Sequence, residues 1–299
     1  LRRVGSRPAK IEVKPAPLPI VGQPFVQFLD LPSGPVSGAP QDQFRVAAWQ
    51  KPWRSQMLFV SPEETGFVQR GLVVRPASVG RLAEPLSPGV EGRIDRSGSI
   101  LVELFDAEPT SVSRLQLLNG ANAAAIKSAG GIWEVVQFQE AEEIAPDIWR
   151  LSALLRGQLG TGDATAPDAP IGSSFVILDD AVQPAGLLAS EIGLALNWRV
   201  GPSGADFSNA RFATMLETGG RRARLPLSPV HLKAGRNANG DLALSWIRRG
   251  RIDADDWNAS EIPWARSAKN IGSRLHALRA RPSARRSPRS QNGFIRHPR

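Results

Sequence analysis

The sequence has no cysteine, no tyrosine and only three histidines among its 299 residues. Without cysteine there is no disulfide framework, no thiolate zinc site and no cysteine nucleophile. His276 and His297 lie close to the C-terminus. The body of the chain therefore keeps only His231, and acid–base chemistry there would fall to carboxylates or lysine. No run of about 18 apolar residues occurs, so no transmembrane helix is expected. The basic start Leu1-Arg2-Arg3 is followed by Lys10, Lys14 and prolines where an export signal would need an apolar stretch. The first residue is not methionine, and the chain is expected to be a piece of a longer product. A Walker loop, a Rossmann glycine fingerprint and a His-rich metal motif are all missing, so no cofactor or metal is expected.

What the sequence does hold is a soluble composition, with 41% hydrophobic and 22% charged residues, and 28 glycines with 25 prolines. The length suggests roughly two domains. The turn-rich composition favours many short strands, and a mainly β fold is predicted. The net charge of +9 is localised. Ten basic and no acidic residues lie between 265 and 299, leaving 27 basic against 28 acidic residues before them. The body is thus neutral. Nucleic-acid binding through this basic C-terminal tail is one alternative function, since ten unopposed cations would release counterions from phosphate; with Phe294 as the lone aromatic for stacking, the contact expected is non-specific.

Residues 1–40 read as an extended connector of proline joints and short apolar pieces, such as residues 25–29. Residues 44–53, 57–60 and 67–74 have the proline-separated spacing of strands joined by turns. Residues 99–105 read as a strand, and residues 115–118, before Asn119-Gly120, as a strand entering a tight turn. Residues 121–125 have helical propensity but are cut off by Gly130 and Gly131, so a turn or loop is expected. Residues 131–138 and 174–179 have strand composition. Trp149, Leu151, Ala153 and Leu155 alternate with Arg150, Ser152 and Arg156, a strand whose pattern Leu154 alone breaks. Gly157 and Gly160 then allow sharp backbone turns. Residues 187–200 fit either helix or strand. From Pro226 the order is strand, polar turn at residues 237–241, and strand with Leu242, Leu244 and Trp246 on one face. A fibronectin-type sandwich begins in this way but needs about 100 residues and seven strands.

Four stretches occur in a telling order. They are Trp133-Glu134-Val135-Val136-Gln137-Phe138; Trp149 through Arg156-Gly157-Gln158-Leu159-Gly160-Thr161; Pro226-Leu227-Ser228-Pro229-Val230-His231-Leu232; and Gly240-Asp241-Leu242-Ala243-Leu244-Ser245-Trp246-Ile247-Arg248-Arg249. Together they resemble the C-terminal part of the large tail-tip baseplate (host specificity) protein of gene transfer agents and siphophage tails, over most of residues 40–263. The resemblance implies a phage-tail hub-type β-rich domain over 41–225, an incomplete fibronectin-type β-sandwich over 226–263, and a disordered basic tail over 264–299. That tail departs from the family after Ile262-Pro263 and reads like a frameshifted segment. The resemblance further implies a virion structural component made in the bacterial cytoplasm. Its expected partners are other tail proteins, further copies of itself around the tail axis, and the host cell surface. Any glycoside hydrolase activity of the family would lie in an upstream barrel-like domain absent here, so the chain is not expected to be an enzyme.

The family-motif residues are Trp133, Trp149, Arg156, Gly157, Gln158, Gly160, Thr161, Pro229 and Trp246, to which a structural role is assigned. Other readings are weaker. His231 lacks a nearby nucleophile motif. Asp253, Asp255 and Asp256 lack the glycine turn and closing glutamate of a calcium loop. Glu140, Glu142 and Glu143, expected in a loop before Pro146, could include a glycosidase acid. Trp49, Trp53, Trp133, Trp149, Trp198 and Trp246 read as core anchors, with stacking on a cell-surface glycan as the alternative.

Overall fold

The computed structural model describes residues 22–34, 38–236, 242–247 and 249–251. Its strands are β1 (Phe25–Asp30), β2 (Phe44–Trp49), β3 (Gln56–Ser61), β4 (Val68–Val73), β5 (Val79–Leu82), β6 (Asp95–Leu104), β7 (Ala123–Lys127) and β8 (Trp133–Ala145). They continue as β9 (Ile148–Gln158), β10 (Ser174–Ile177), β11 (Gln183–Pro184), β12 (Ala195–Pro202), β13 (Ala213–Thr218), β14 (Val230–Arg236) and β15 (Leu242–Ile247). The one α-helix among the described residues is α1 (Arg114–Leu118). The protein is mainly β. No helix among the described residues is long and apolar enough to cross a membrane.

Three layers account for most of the chain. The order β13-β12-β3-β4 forms an open outer sheet, β1-β2-β11 a middle sheet, and β10-β5-β6-β9-β8-β7 a closed barrel. Alternation along the middle strands explains why it is buried on both faces. Val26, Phe28, Phe44, Val46 and Ala48 face the outer sheet and meet Leu58, Val60, Trp198 and Val200. Leu29, Leu31 and Ala47 face the other way, onto Val79, Ala125, Val135 and Val176 of the barrel wall. Residues 25–30, expected as part of a connector, therefore form a strand because both faces are covered. All six residues of β1 pair with β2, from Phe25↔Trp49 to Asp30↔Phe44.

The barrel interior is filled by Leu82, Ile100, Val102, Leu104, Ile126, Val136, Phe138, Leu151, Leu154 and Phe175, contributed by all six of its strands. Three local readings of the sequence are corrected here. The alanine-rich segment expected as a loop is β7, whose Ala124 and Ala125 are fully buried. Strand pairing to β8 and β10 on its two sides overrides the weak β-propensity of alanine. Residues 115–118, expected as a strand, are helix α1, fixed by a capping box between Ser113 and Gln116. In β9 the inward residues are Leu151 and Leu154, because Ala153 takes φ +54° and shifts the pleat by one position. The residues at 187–200 resolve into a 3₁₀ turn at Ala189–Glu191 and the start of β12.

The chain then forms an antiparallel β14–β15 pair, with no other strand on either side among the described residues. Leu232 is 69%, Leu244 51% and Ile247 56% exposed. The turn at residues 237–241, the acidic cluster Asp253, Asp255 and Asp256, the remainder of the expected sandwich and the whole basic tail lie outside the described residues.

Candidate functional site

Sequence reasoning singled out the stretch from Arg156 to Thr161, and the fold places it where the barrel meets its neighbours. β8 and β9 are joined by a two-residue turn, with Ala145 opposite Ile148. Glu134 lies on the inward face of β8 with Val136 and Phe138. Arg156 lies inward on β9 beyond Leu154. The two side chains form a bidentate ion pair, Nε to Oε1 at 2.6 Å and Nη2 to Oε2 at 2.8 Å, with each side chain 4% exposed. Arg156 also donates to the carbonyl of Ser87 at 3.2 Å, and the Gly157 N–H donates to Glu134 Oε1 at 3.1 Å. A planar guanidinium meets a carboxylate in matched geometry, which is the arrangement in which a buried charge pair is tolerated.

Position 157 has no room for a side chain. Its φ is +62°, and a Cβ there would stand 3.0 Å from the Glu91 carboxyl carbon. Glu91, on the β5–β6 connection, accepts from Thr165 Oγ1 at 3.1 Å. Thr161 is fully buried; its hydroxyl donates to the Gln158 carbonyl at 2.7 Å and accepts from the Val135 N–H at 2.9 Å. Gln158 Nε2 returns to the Arg156 carbonyl at 3.0 Å. Gly160, at φ +79°, leaves room for Leu227.

A second set of polar contacts ties this turn to the other layers. Arg222, after β13, makes a bidentate pair with Asp163, Nη1 to Oδ2 at 2.6 Å, and hydrogen bonding by Arg222 holds the Asp163 carboxyl below the ordinary aspartate range. Asp30, at the end of β1, accepts from the N–H groups of Gly220 at 2.9 Å and Arg222 at 3.1 Å. Burial pushes the Asp30 carboxyl up, against the lowering effect of those donors. Arg251, beyond β15, donates through Nη1 to the carbonyls of Ser33 at 3.0 Å and Leu159 at 2.8 Å, and through Nε to that of Leu225 at 3.3 Å. One guanidinium thus binds the chain before β2, the turn after β9 and the linker to the last hairpin.

The motif residues do not all converge. Arg156, Gly157, Gln158, Gly160 and Thr161 share the junction. Trp133 is one residue from Glu134 but points outward, and its Nε1 donates to the Phe28 carbonyl of the middle sheet at 3.0 Å. Trp149 packs against the barrel core at the far end of β9. Pro229 is exposed just before β14, and Trp246 is half-buried on β15. Trp198 is fully buried against Phe28 and Phe44. His231 is exposed on β14 with φ +54°.

Glu140, Glu142 and Glu143 belong to β8 rather than to a loop, because the strand runs on to Ala145. Glu140 accepts from Ser152, Glu142 pairs with Arg150 at 3.3 Å, and Glu143 accepts from the Asp147 N–H, all on the exposed end of the hairpin. Among the described residues no group of three or more His, Asp or Glu side chains is placed to hold a metal ion. Glu134, Asp30, Asp163, Arg222 and Arg251 were not foreseen. Glu134 carried one signal, a charge between Trp133 and Val135-Val136 at the apolar start of its strand.

The family described as Rcc01698-like, C-terminal, matches residues 77–176. This stretch begins two residues before β5 and ends within β10, so it takes in five barrel strands, most of the sixth and the Glu134–Arg156 pair. The match is to the barrel, about one third of the chain, and the flanking sheets and the last hairpin lie outside it. No curated protein matches the chain.

Proposed function

We propose that this chain is a structural module of a phage-like or gene transfer agent tail tip, working by assembly with other tail proteins, including further copies of itself, and by contact with the host cell surface. The observation that carries the reading is how the motif stretch is used. Arg156, Gly157, Gln158 and Thr161 spend their side chains and backbone groups on internal bonds that lock the barrel to its own connections, and Arg222, Asp30 and Arg251 extend that locking to the neighbouring sheets. A joint of this kind holds the layers in fixed relation to one another, which suits a structural part of a particle. The four ordered motifs and the family match over the barrel support the same reading. The hairpin that exposes Leu232, Leu244 and Ile247 offers apolar surface suited to a protein neighbour.

The test is mass spectrometry of tails sheared from purified particles of the producing bacterium. Peptides from residues 77–176 should co-purify with the tail proteins at a fixed ratio. Their absence from tails, with the chain abundant in the soluble cell fraction, would overturn the proposal.

A further inference from the structure

A cleft of about 450 Å³ opens at the seam between the middle sheet and the barrel. Its walls come from the start of β1 (Phe25), the end of β2 (Trp49), β5 (Arg81) and the residue after β6 (Phe105). The volume falls within the range of small-ligand sites. Three aromatic rings line it. Phe25 and Phe105 meet edge-to-face at 5.4 Å, and Trp49 and Phe105 lie 5.2 Å apart. All three are only half-buried, so they keep apolar surface in contact with water at a concave place.

The polar groups of the cleft are set in a definite way. Gln50 is buried and committed to the floor, donating to the Gly22 carbonyl at 2.7 Å and accepting from Gln56 Nε2 at 3.0 Å. Exposed Gln23 donates its Nε2 to the Ala210 and Phe212 carbonyls, which leaves its own carbonyl oxygen as an acceptor at the rim. The lining contains two cations and no carboxylate. Lys51 is held by Asp106 at 2.5 Å. Arg81 makes no ion pair among the described residues, even with its cross-strand neighbour Glu103, and its guanidinium rests 5.6 Å from the Phe25 ring. A cation held on an aromatic face keeps its N–H donors available to an incoming anion.

An apolar aromatic wall, an amide acceptor at the rim and a guanidinium without an ion pair among the described residues together match a ligand with a C–H face, hydroxyl groups and a carboxylate. We propose that this cleft binds acidic saccharides, with a uronic acid carboxylate on Arg81 and a sugar face against the aromatic wall. The inference stands on the cleft alone and does not depend on the assignment to a tail.

The probe is trigalacturonate, titrated by calorimetry into the full chain, with its fully methyl-esterified form as the uncharged counterpart. Saturable binding is expected, weakening as salt rises because the cleft is open to solvent. Arg81→Gln, an exposed position, should weaken binding about tenfold, as should methyl esterification, since each removes one charge-assisted contact. Arg93→Gln, an exposed cation outside the cleft, should leave affinity unchanged. In the unmutated protein the Trp49 indole N–H resonance, assigned with Trp49→Phe, should shift on titration. No binding, equal affinity for the ester, or a titration that moves other tryptophan signals and leaves Trp49 still would overturn the proposal.

Discussion

Glu134 and Arg156 stand 22 residues apart in sequence yet face one another inside the end of a six-stranded barrel, joined by two hydrogen bonds and closed off from water. Their pairing closes the barrel end over which the β5–β6 connection crosses. Removing one partner leaves the other charge buried without compensation. Glu134→Ala is expected to cost about 3–5 kcal/mol. Chemical denaturation of the purified chain measures it, and a loss under about 1 kcal/mol would mean that the site is wetter or more pliant than described.

Gly157 and Gly172 both hold positive φ, but they differ in what surrounds them. A Cβ at Gly157 meets the Glu91 carboxyl group, whereas one at Gly172 meets nothing within 4 Å. Gly172→Ala should cost about 1 kcal/mol, the left-handed backbone penalty alone. Gly157→Ala should cost roughly 1–3 kcal/mol more, because Glu91 must move from Thr165. Thermal melts of the two variants side by side test the difference, and equal melting shifts would contradict the crowding.

The acid response separates two aspartates. Hydrogen bonding to Arg222 lowers the Asp163 carboxyl in the folded state, so its contribution is present above the unfolded value near 3.8 and is lost as pH falls through the lower folded value. Asp163 is half exposed, and the pair should be worth about 1 kcal/mol or less. The stability gap between the unmutated chain and Asp163→Asn should therefore be largest near neutrality and close below pH 4. Asp30 has the opposite sign. Burial raises its folded value, so its contribution is complete below pH 3.8 and is lost as pH rises through the raised value. Urea titrations between pH 3 and 7 would show both slopes, and a gap for Asp163→Asn that is independent of pH would refute the first.

Arg251 latches the last hairpin through three carbonyls from three segments. Arg251→Ala should loosen the hairpin without melting the barrel. Hydrogen exchange is expected to rise over residues 226–236 while residues 133–138 stay protected. Unchanged exchange at 226–236 would show that the hairpin is held by something other than this side chain.

Much of this architecture could be read from residue order. The strand readings at 99–105, 131–138 and 174–179 follow directly from β-branched and aromatic runs and match β6, β8 and β10 to within a few residues, and the β14–β15 pair follows from the polar sequence between its two apolar stretches. What could not be read depends on contacts made at a distance. The alanines of β7 become a strand only because two neighbours in the barrel hydrogen-bond to them. The Leu154 anomaly is explained by the positive φ of Ala153, a backbone state that alternation alone does not reveal. The glycines at 157 and 160 were visible as turn formers. Their neighbours Glu91 and Leu227 were not, since no spacing rule links residues that meet only when the barrel closes. Glu134 was visible as a charge among the apolar residues that open β8, and its partner becomes identifiable once β8 and β9 are set in register.

The central claim is that the barrel and its joined sheets sit at the end of a tail as a structural part. Electron microscopy of intact particles labelled with gold-conjugated antibody against residues 77–176 tests it most directly. The account predicts gold at the distal tip of the tail in most labelled particles. Label confined to the capsid, spread along the tube, or absent from particles that contain every other tail protein would contradict it.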